Sequence, residues 1–179
     1  YTSSLKKRKT DEYQENGNPY FRGMPDGEKS RIRPDRCVTV YVNGIKSIDK
    51  DTPVVIGGIE ASLRRFAHYD FLSDKVRGSI LVDSGADLLV YGMGENAGIE
   101  IAERIKNGEN INNLTIRGTC RLALKNEILD TLVLPSYDEV RNDYNSFLMM
   151  TELIYENSNP FTARILEQNH SGRRVIQFP

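Results

Sequence analysis

The sequence predicts an α/β fold: an open, mainly parallel, Rossmann-like sheet with helices on both faces, an extended arm before it, and a helix and hairpin after it. Two observations point there, and the length permits it. The short apolar runs PVVI at 53–56 and ADLLVYG at 86–92 have the length and composition of strands buried on both faces. Segments with apolar residues three and four positions apart alternate with those runs, as strand–helix units require. A chain of 179 residues also buries an adequate core without disulfides.

Residues 1–35 have a loop composition, with KKRK at 6–9, ENGNP at 15–19 and MPDG at 24–27. This basic arm could touch phosphates, but a solvated extension lying over a partner domain is the favoured reading. From Pro34 onward Val38, Tyr41, Val42, Ile45 and Ile48 recur at helical spacing. The turn Asp49–Thr52 leads into the strand PVVIGG. VRGSILV at 76–82 reads as a helix or part of one, and ADLLVYG as the second buried strand. The next helix carries Gly98, Ile101, Ala102 and Ile105 on one face and stops at Asn107-Gly108. Thr115–Leu124 and Thr131–Leu134 read as further short strands. Val140, Tyr144, Phe147, Leu148, Thr151 and Tyr155 mark one amphipathic helix after Pro135-Ser136, and ARILEQ, NHSG and RRVIQF a closing hairpin. The expected divisions are an arm over 1–35, the α/β unit over 36–135, and a helix and hairpin over 136–179.

A net charge of −1 argues neither for a nucleic acid nor for an acidic membrane surface as partner. No apolar run approaches the ~18 to 20 residues that span a bilayer, and no signal-peptide pattern occurs. Cys37 and Cys120 lie far apart without metal-ligand spacing. A cytoplasmic protein with two ordinary buried thiols is expected. The start at Tyr1 and the apolar end VIQFP read as cuts from something longer.

In an open parallel sheet, ligands bind outside the carboxyl ends of the strands. Two segments fall there: Gly57-Gly58-Ile59-Glu60-Ala61-Ser62, and Gly92-Met93-Gly94-Glu95. Glycines let a backbone turn and let a ligand come close, although either loop alone is also an ordinary turn. Just beyond the first loop stand Arg64, Arg65, His68, Tyr69, Asp70, Asp74 and Lys75. One arginine could present its planar fork to an anion while the other pairs with Asp70, Asp74 or Glu60. His68 reads first as a hydrogen-bonded structural residue, since no HxxxH or HExxH accompanies it. Tyr69 and Phe71 read as packing residues, and His170 as exposed in the hairpin turn. GxSxG and GxxxxGK[ST] are absent. Gly92-Met93-Gly94 begins like GxGxxG, but Ala97 holds the third glycine position. Cleft candidates are therefore Gly57, Gly58, Glu60, Ser62, Arg64, Arg65, His68, Tyr69, Asp70, Gly92, Gly94 and Glu95.

The stretch IGGIEASLRRFAHYDFLSDKVRGSIL followed by ADLLVYGMGE closely resembles the N-terminal domain of the YgiQ-type radical SAM proteins. YTSSLKKRKTDEY, RPDRCVTVY, IRGT, LPSYDEV and RRVIQFP extend the resemblance over nearly the whole chain. More distantly, strand-GG…S followed by GMGE is similar to the cobalamin-binding domains that precede many radical SAM cores. Such domains often use a DxHxxG loop. None occurs here, and neither His68 nor His170 has that context, so cobalamin stays an alternative rather than an expectation. The resemblance implies a parent enzyme whose core carries CxxxCxxC, a four-iron four-sulfur cluster and S-adenosylmethionine, which together generate a 5′-deoxyadenosyl radical. That motif is not in this sequence, so the radical step belongs to the core of the same polypeptide, acting on a substrate the resemblance does not name. Three roles stay open: an accessory domain covering the core, a binding module for a nucleotide, cobalamin or nucleic acid, and a structural domain whose polar run is a salt-bridge network.

Overall fold

The structure, a computed structural model, describes residues 36–71, 73–159 and 161–179. The basic arm expected over 1–35 lies outside them. Helix α1 spans Cys37–Ile48, as its apolar spacing predicts, and turns Cys37 and Val42 inward. Strand β1 (Val55–Ile56) is followed directly by α2 (Gly58–Leu63). Next come the antiparallel ribbon of β2 (His68–Asp70) and β3 (Lys75–Arg77), the short helix α3 (Ile80–Ser84), and β4 (Leu88–Val90). Helix α4 (Glu95–Lys106) leads through a 3-10 turn at Ile111–Asn113 to β5 (Thr119–Leu122) and β6 (Leu132–Val133). The chain closes with α5 (Tyr137–Asn142), α6 (Tyr144–Glu156) and the hairpin β7 (Leu166–His170) and β8 (Arg173–Phe178).

The α/β class is as expected, and its sheet is mixed. Six strands lie in the order β1-β4-β5-β8-β7-β6. Parallel pairing joins β1 to β4 and β6 to β7, and the three central contacts are antiparallel. Strands β1, β4 and β8 therefore run one way, and β5, β7 and β6 the other. The mixture follows from the closing hairpin. A tight Ser171-Gly172 turn can join only antiparallel strands, and β8 inserts beside β5 instead of adding at an edge.

Helices cover both faces. Leu88 and Leu89, adjacent on β4, point to opposite sides. Leu89 joins Val42, Ile56, Ala61, Leu81, Cys120, Val140, Met150, Leu166 and Val175 in the larger core. Leu88 packs with Ala97, Ile101, Ile111, Leu114 and Ile116 beneath α4. The buried line on α4 is Ala97–Ile101, so Gly98 and Ala102 face outward rather than into the core. Arg121 on β5 lies opposite Leu88 at 1% exposure. Its guanidinium donates both terminal nitrogens to Glu127, at 2.8 and 2.6 Å, which satisfies a charge that could not otherwise be buried.

Two expected elements differ. VRGSILV is not one helix: Val76 and Arg77 complete β3, Gly78 turns, and α3 begins at Ile80 with the Ser79 hydroxyl accepting from the Leu81 N–H. The helix expected after Ser136 is divided. Ser136 and Glu139 form a capping box for α5. Asp143 then takes an extended conformation, φ −133° and ψ 125°, and its carboxylate accepts from the Ser146 N–H to start α6 afresh. The break rotates the second half, so Met150 is buried while Tyr144 and Tyr155 are exposed.

Candidate functional site

Both glycine loops leave the same edge of the sheet, because β1 and β4 are parallel neighbours in register, Val55 with Leu88 and Ile56 with Leu89. The Ser62 hydroxyl joins the loops: it donates to the Gly58 carbonyl at 2.8 Å and accepts from the Gly92 N–H at 3.3 Å. Gly92 has φ 69°, which favours glycine. A Cβ at Gly94 would lie 2.9 Å from Val90 Cγ1, so the second loop is drawn tightly against β4. Glu95 opens α4, where its charge complements the helix N-terminus.

The antiparallel pairs bring more chain to this edge. Gly118 precedes β5, and Pro179 follows β8. Together with Arg65, Tyr91, Gly92, Arg117 and Gln177 they line a cleft of about 760 Å³. Arg65 lies 5.1 Å from the centre of the Tyr91 ring, donates from Nε to Gln177 Oε1 at 2.6 Å, and donates from Nη1 to the Ser62 carbonyl at 2.6 Å. Tyr91 donates its hydroxyl to the Phe178 carbonyl at 2.9 Å, and burial pushes its phenol well above the ordinary value. Arg117 reaches the Pro179 carbonyl at 3.2 Å. Around the edge, large apolar side chains stand in solvent: Ile59 and Leu63 one turn apart on α2, and Met93, 93% exposed, at the tip of the second loop.

The polar run after the first loop divides into three parts. Arg65 alone faces the cleft. Arg64 is the arginine that pairs with a carboxylate: it meets Glu60 at 2.8 Å across i,i+4 spacing and approaches Asp70 at 3.7 Å. Asp70 is buried and also holds Arg36 at 2.6 Å. Burial opposes its charge, but hydrogen bonds from Ser73 and Arg36 and the nearby guanidinium charges keep its carboxyl below the usual range. Glu60, buried at 8% exposure, also accepts from the Cys37 thiol at 3.5 Å. This network ties the start of α1 to α2 and to the β2–β3 ribbon.

The histidines form the third part. His68 Nδ1 donates to the Phe66 carbonyl at 3.2 Å, and its Nε2 is enclosed without a partner among the described residues. Burial lowers its pKa to about 4. His170 is not exposed in its turn: at 3% exposure it is covered by Tyr137, whose ring stacks on it at 5.6 Å, and by Gly78 and Ser79. Burial lowers its pKa to about 4 as well. Tyr69 and Phe71 are correspondingly not packing residues, being 54% and 57% exposed on the ribbon. Tyr69 gives its hydroxyl to Asp74 at 2.6 Å. Tyr91, Arg117 and Gln177 were not evident from sequence. Tyr91 reads as the end of a strand, and Gln177 is an isolated polar residue in an apolar run whose register alone brings it beside Arg65.

The residues present do not fit an iron–sulfur cluster. Cys37 and Cys120 are buried apart in the chain, burial pushes the Cys120 thiol up to about 12, and no group of three or more His, Cys, Asp or Glu is placed to hold a metal among the described residues. Nor do the histidines offer an axial ligand to a corrin at the strand ends, since both Nε2 atoms are enclosed. No helix among the described residues is long and apolar enough to cross a membrane.

The family model described as "Radical SAM N-terminal" matches residues 1–179. Three curated relatives carry the printed name "UPF0313 protein". One from Methanocella arvoryzae is 40% identical over all of this chain and 28% of its own length. One from Clostridium perfringens is 45% identical over 98% of this chain and 25% of its own length, and one from Clostridium botulinum is 41% identical over 100% and 26%. The chain thus spans about a quarter of the length of the curated relatives it matches. No solved structure matches it significantly.

Proposed function

Since the chain belongs to the radical SAM N-terminal family, we propose that it is an accessory domain that seats its strand-end edge against the radical SAM core of the same polypeptide. The core would supply the four-iron four-sulfur cluster, S-adenosylmethionine and the radical chemistry. This domain would cover it and contribute substrate contacts from the cleft. The observation that carries the reading is the makeup of that edge. A cleft of about 760 Å³ has Arg65, Arg117 and Gln177 in its wall together with exposed Met93 and the chain at Pro179, and α2, which leaves the same edge, carries exposed Ile59 and Leu63. Apolar side chains around a polar cleft are the anatomy of a surface that docks onto a second body and leaves a ligand-sized space between. In this reading residues 136–179 carry the chain from the α/β unit towards the core, with β8 delivering it to the edge.

Leu63→Asp combined with Met93→Asp in the full-length protein tests the docking. Both side chains are exposed, so the domain's own packing is spared. Limited proteolysis of the connection after residue 179 is expected to accelerate about tenfold or more, as burying two unpaired charges costs several kcal/mol. Cleavage at the wild-type rate would overturn the reading.

A further inference from the structure

A second cavity, of about 600 Å³, opens at the other end of the sheet, where His170 closes β7. It lies between the β2–β3 ribbon and α5, lined by Tyr69, Lys75, Arg77, Tyr137 and Arg141, with Asp74 and Asp83. From this arrangement of two tyrosine rings and three cations around one small cavity, we propose a binding site for a mononucleotide, its phosphate held by Lys75 and Arg141 and its base stacked on Tyr137.

The charges are arranged for an incoming anion. Asp83 is paired with Arg77 at 3.0 Å; Asp74 keeps its charge but is turned to the Tyr69 hydroxyl, which donates to it at 2.6 Å, so the three cations of the wall outnumber its two carboxylates by one. Lys75 and Arg141 make no ion pair among the described residues, and both are exposed on the cavity wall. Two cations without an ion pair among the described residues, one on the ribbon and one on α5, suit a compact anion such as a phosphate monoester.

The ring stack argues for a planar group beside it. Tyr137 stacks on His170 with ring planes 14° apart, packs partly against the core, and also lines the cavity, so the part of the ring that reaches the cavity is a rigidly held aromatic surface. The stack has a fixed base. The Ser79 N–H donates to His170 Nδ1 at 3.4 Å, which sets the ring proton on Nε2, a buried atom without a partner among the described residues. Gly78 beside it is small by necessity: a Cβ there would meet His170 Nδ1 at 3.2 Å. The cavity also falls within the size range of pockets that hold small ligands.

Calorimetry on the full-length protein, with uridine 5′-monophosphate and inorganic phosphate as probes, tests the site. A pyrimidine nucleotide is chosen so that an adenosyl site elsewhere in the protein does not compete. Expected is a Kd below ~1 mM for the nucleotide and at least ~10-fold weaker binding of phosphate alone. Lys75→Ala and Arg141→Ala should each weaken the nucleotide about tenfold, and Tyr137→Leu should reduce it to the affinity of phosphate. Lys125→Ala, an exposed charge outside the cavity, should leave it unchanged. No binding up to ~5 mM, or an affinity indifferent to Lys75 and Arg141, would overturn the site. Equal affinity for the two probes would reduce it to an anion site and overturn the nucleotide assignment.

Discussion

At the scale of single residues, two buried histidines set how the fold responds to acid. His68 and His170 titrate near 4 in the folded chain, against 6.5 when exposed. The unfolded chain therefore takes up these protons first. Their contribution to stability is complete above pH 6.5, declines as pH falls, and levels off below about 4, amounting to about 3 kcal/mol per histidine. Urea unfolding across that window, compared with His170→Asn, should show the acid-dependent loss cut by about half in the variant. Identical profiles would mean that His170 takes up its proton equally easily in both states. Nothing in the sequence around NHSG signals this burial. It arises because α5 brings Tyr137 over the hairpin turn, a contact between residues 33 positions apart. The Glu60–Arg64 pair, by contrast, was legible, because i,i+4 spacing on a helix is a local property.

At the scale of elements, the second glycine loop illustrates how position decides what a glycine does. Gly94 is pressed against Val90, whereas Gly98, one turn into α4, has open space where a Cβ would stand. Gly98→Ala should raise stability by up to about 1 kcal/mol, the difference in helix propensity. Gly94→Ala should lower it by about 1 kcal/mol or more, since Val90 must give way. Thermal melts of the two variants should move in opposite directions, and a rise for both would show the loop to be looser than its geometry. Strands β1 and β4 and helices α1 and α4 were readable because each is a local pattern, a continuous apolar run or a helical repeat, whereas the β2–β3 ribbon between them was not. The second half was harder. Asp143 reads as one more polar position on a helix, and only its side-chain capping of Ser146 divides α5 from α6. The mixed sheet was beyond local reading too, since the place where a hairpin inserts is settled by long-range pairing of β8 with β5.

At the scale of the whole molecule, the two ends of the sheet have different characters. One end gathers the glycine loops, Arg65, Tyr91, Gln177 and the chain at Pro179, with Ile59, Leu63 and Met93 around them. The other carries the ribbon, the ring stack and the cationic cavity. The sequence placed the glycine loops at a common edge because parallel strand–helix units put their carboxyl ends together. It could not say that Arg65, one position beyond Arg64, leaves the buried ion network and faces the open cleft beside Gln177.

Solvent labelling of the full-length protein tests the orientation most directly. Single cysteines replace Met93 at the strand-end edge and Ile128 at the opposite edge, each 93% exposed in this domain, and peptide mass spectrometry follows their reaction with maleimide. The expected result is slow labelling at position 93, where the core covers it, and rapid labelling at position 128. Equally rapid labelling at both positions would contradict the claim that the strand-end edge faces the core.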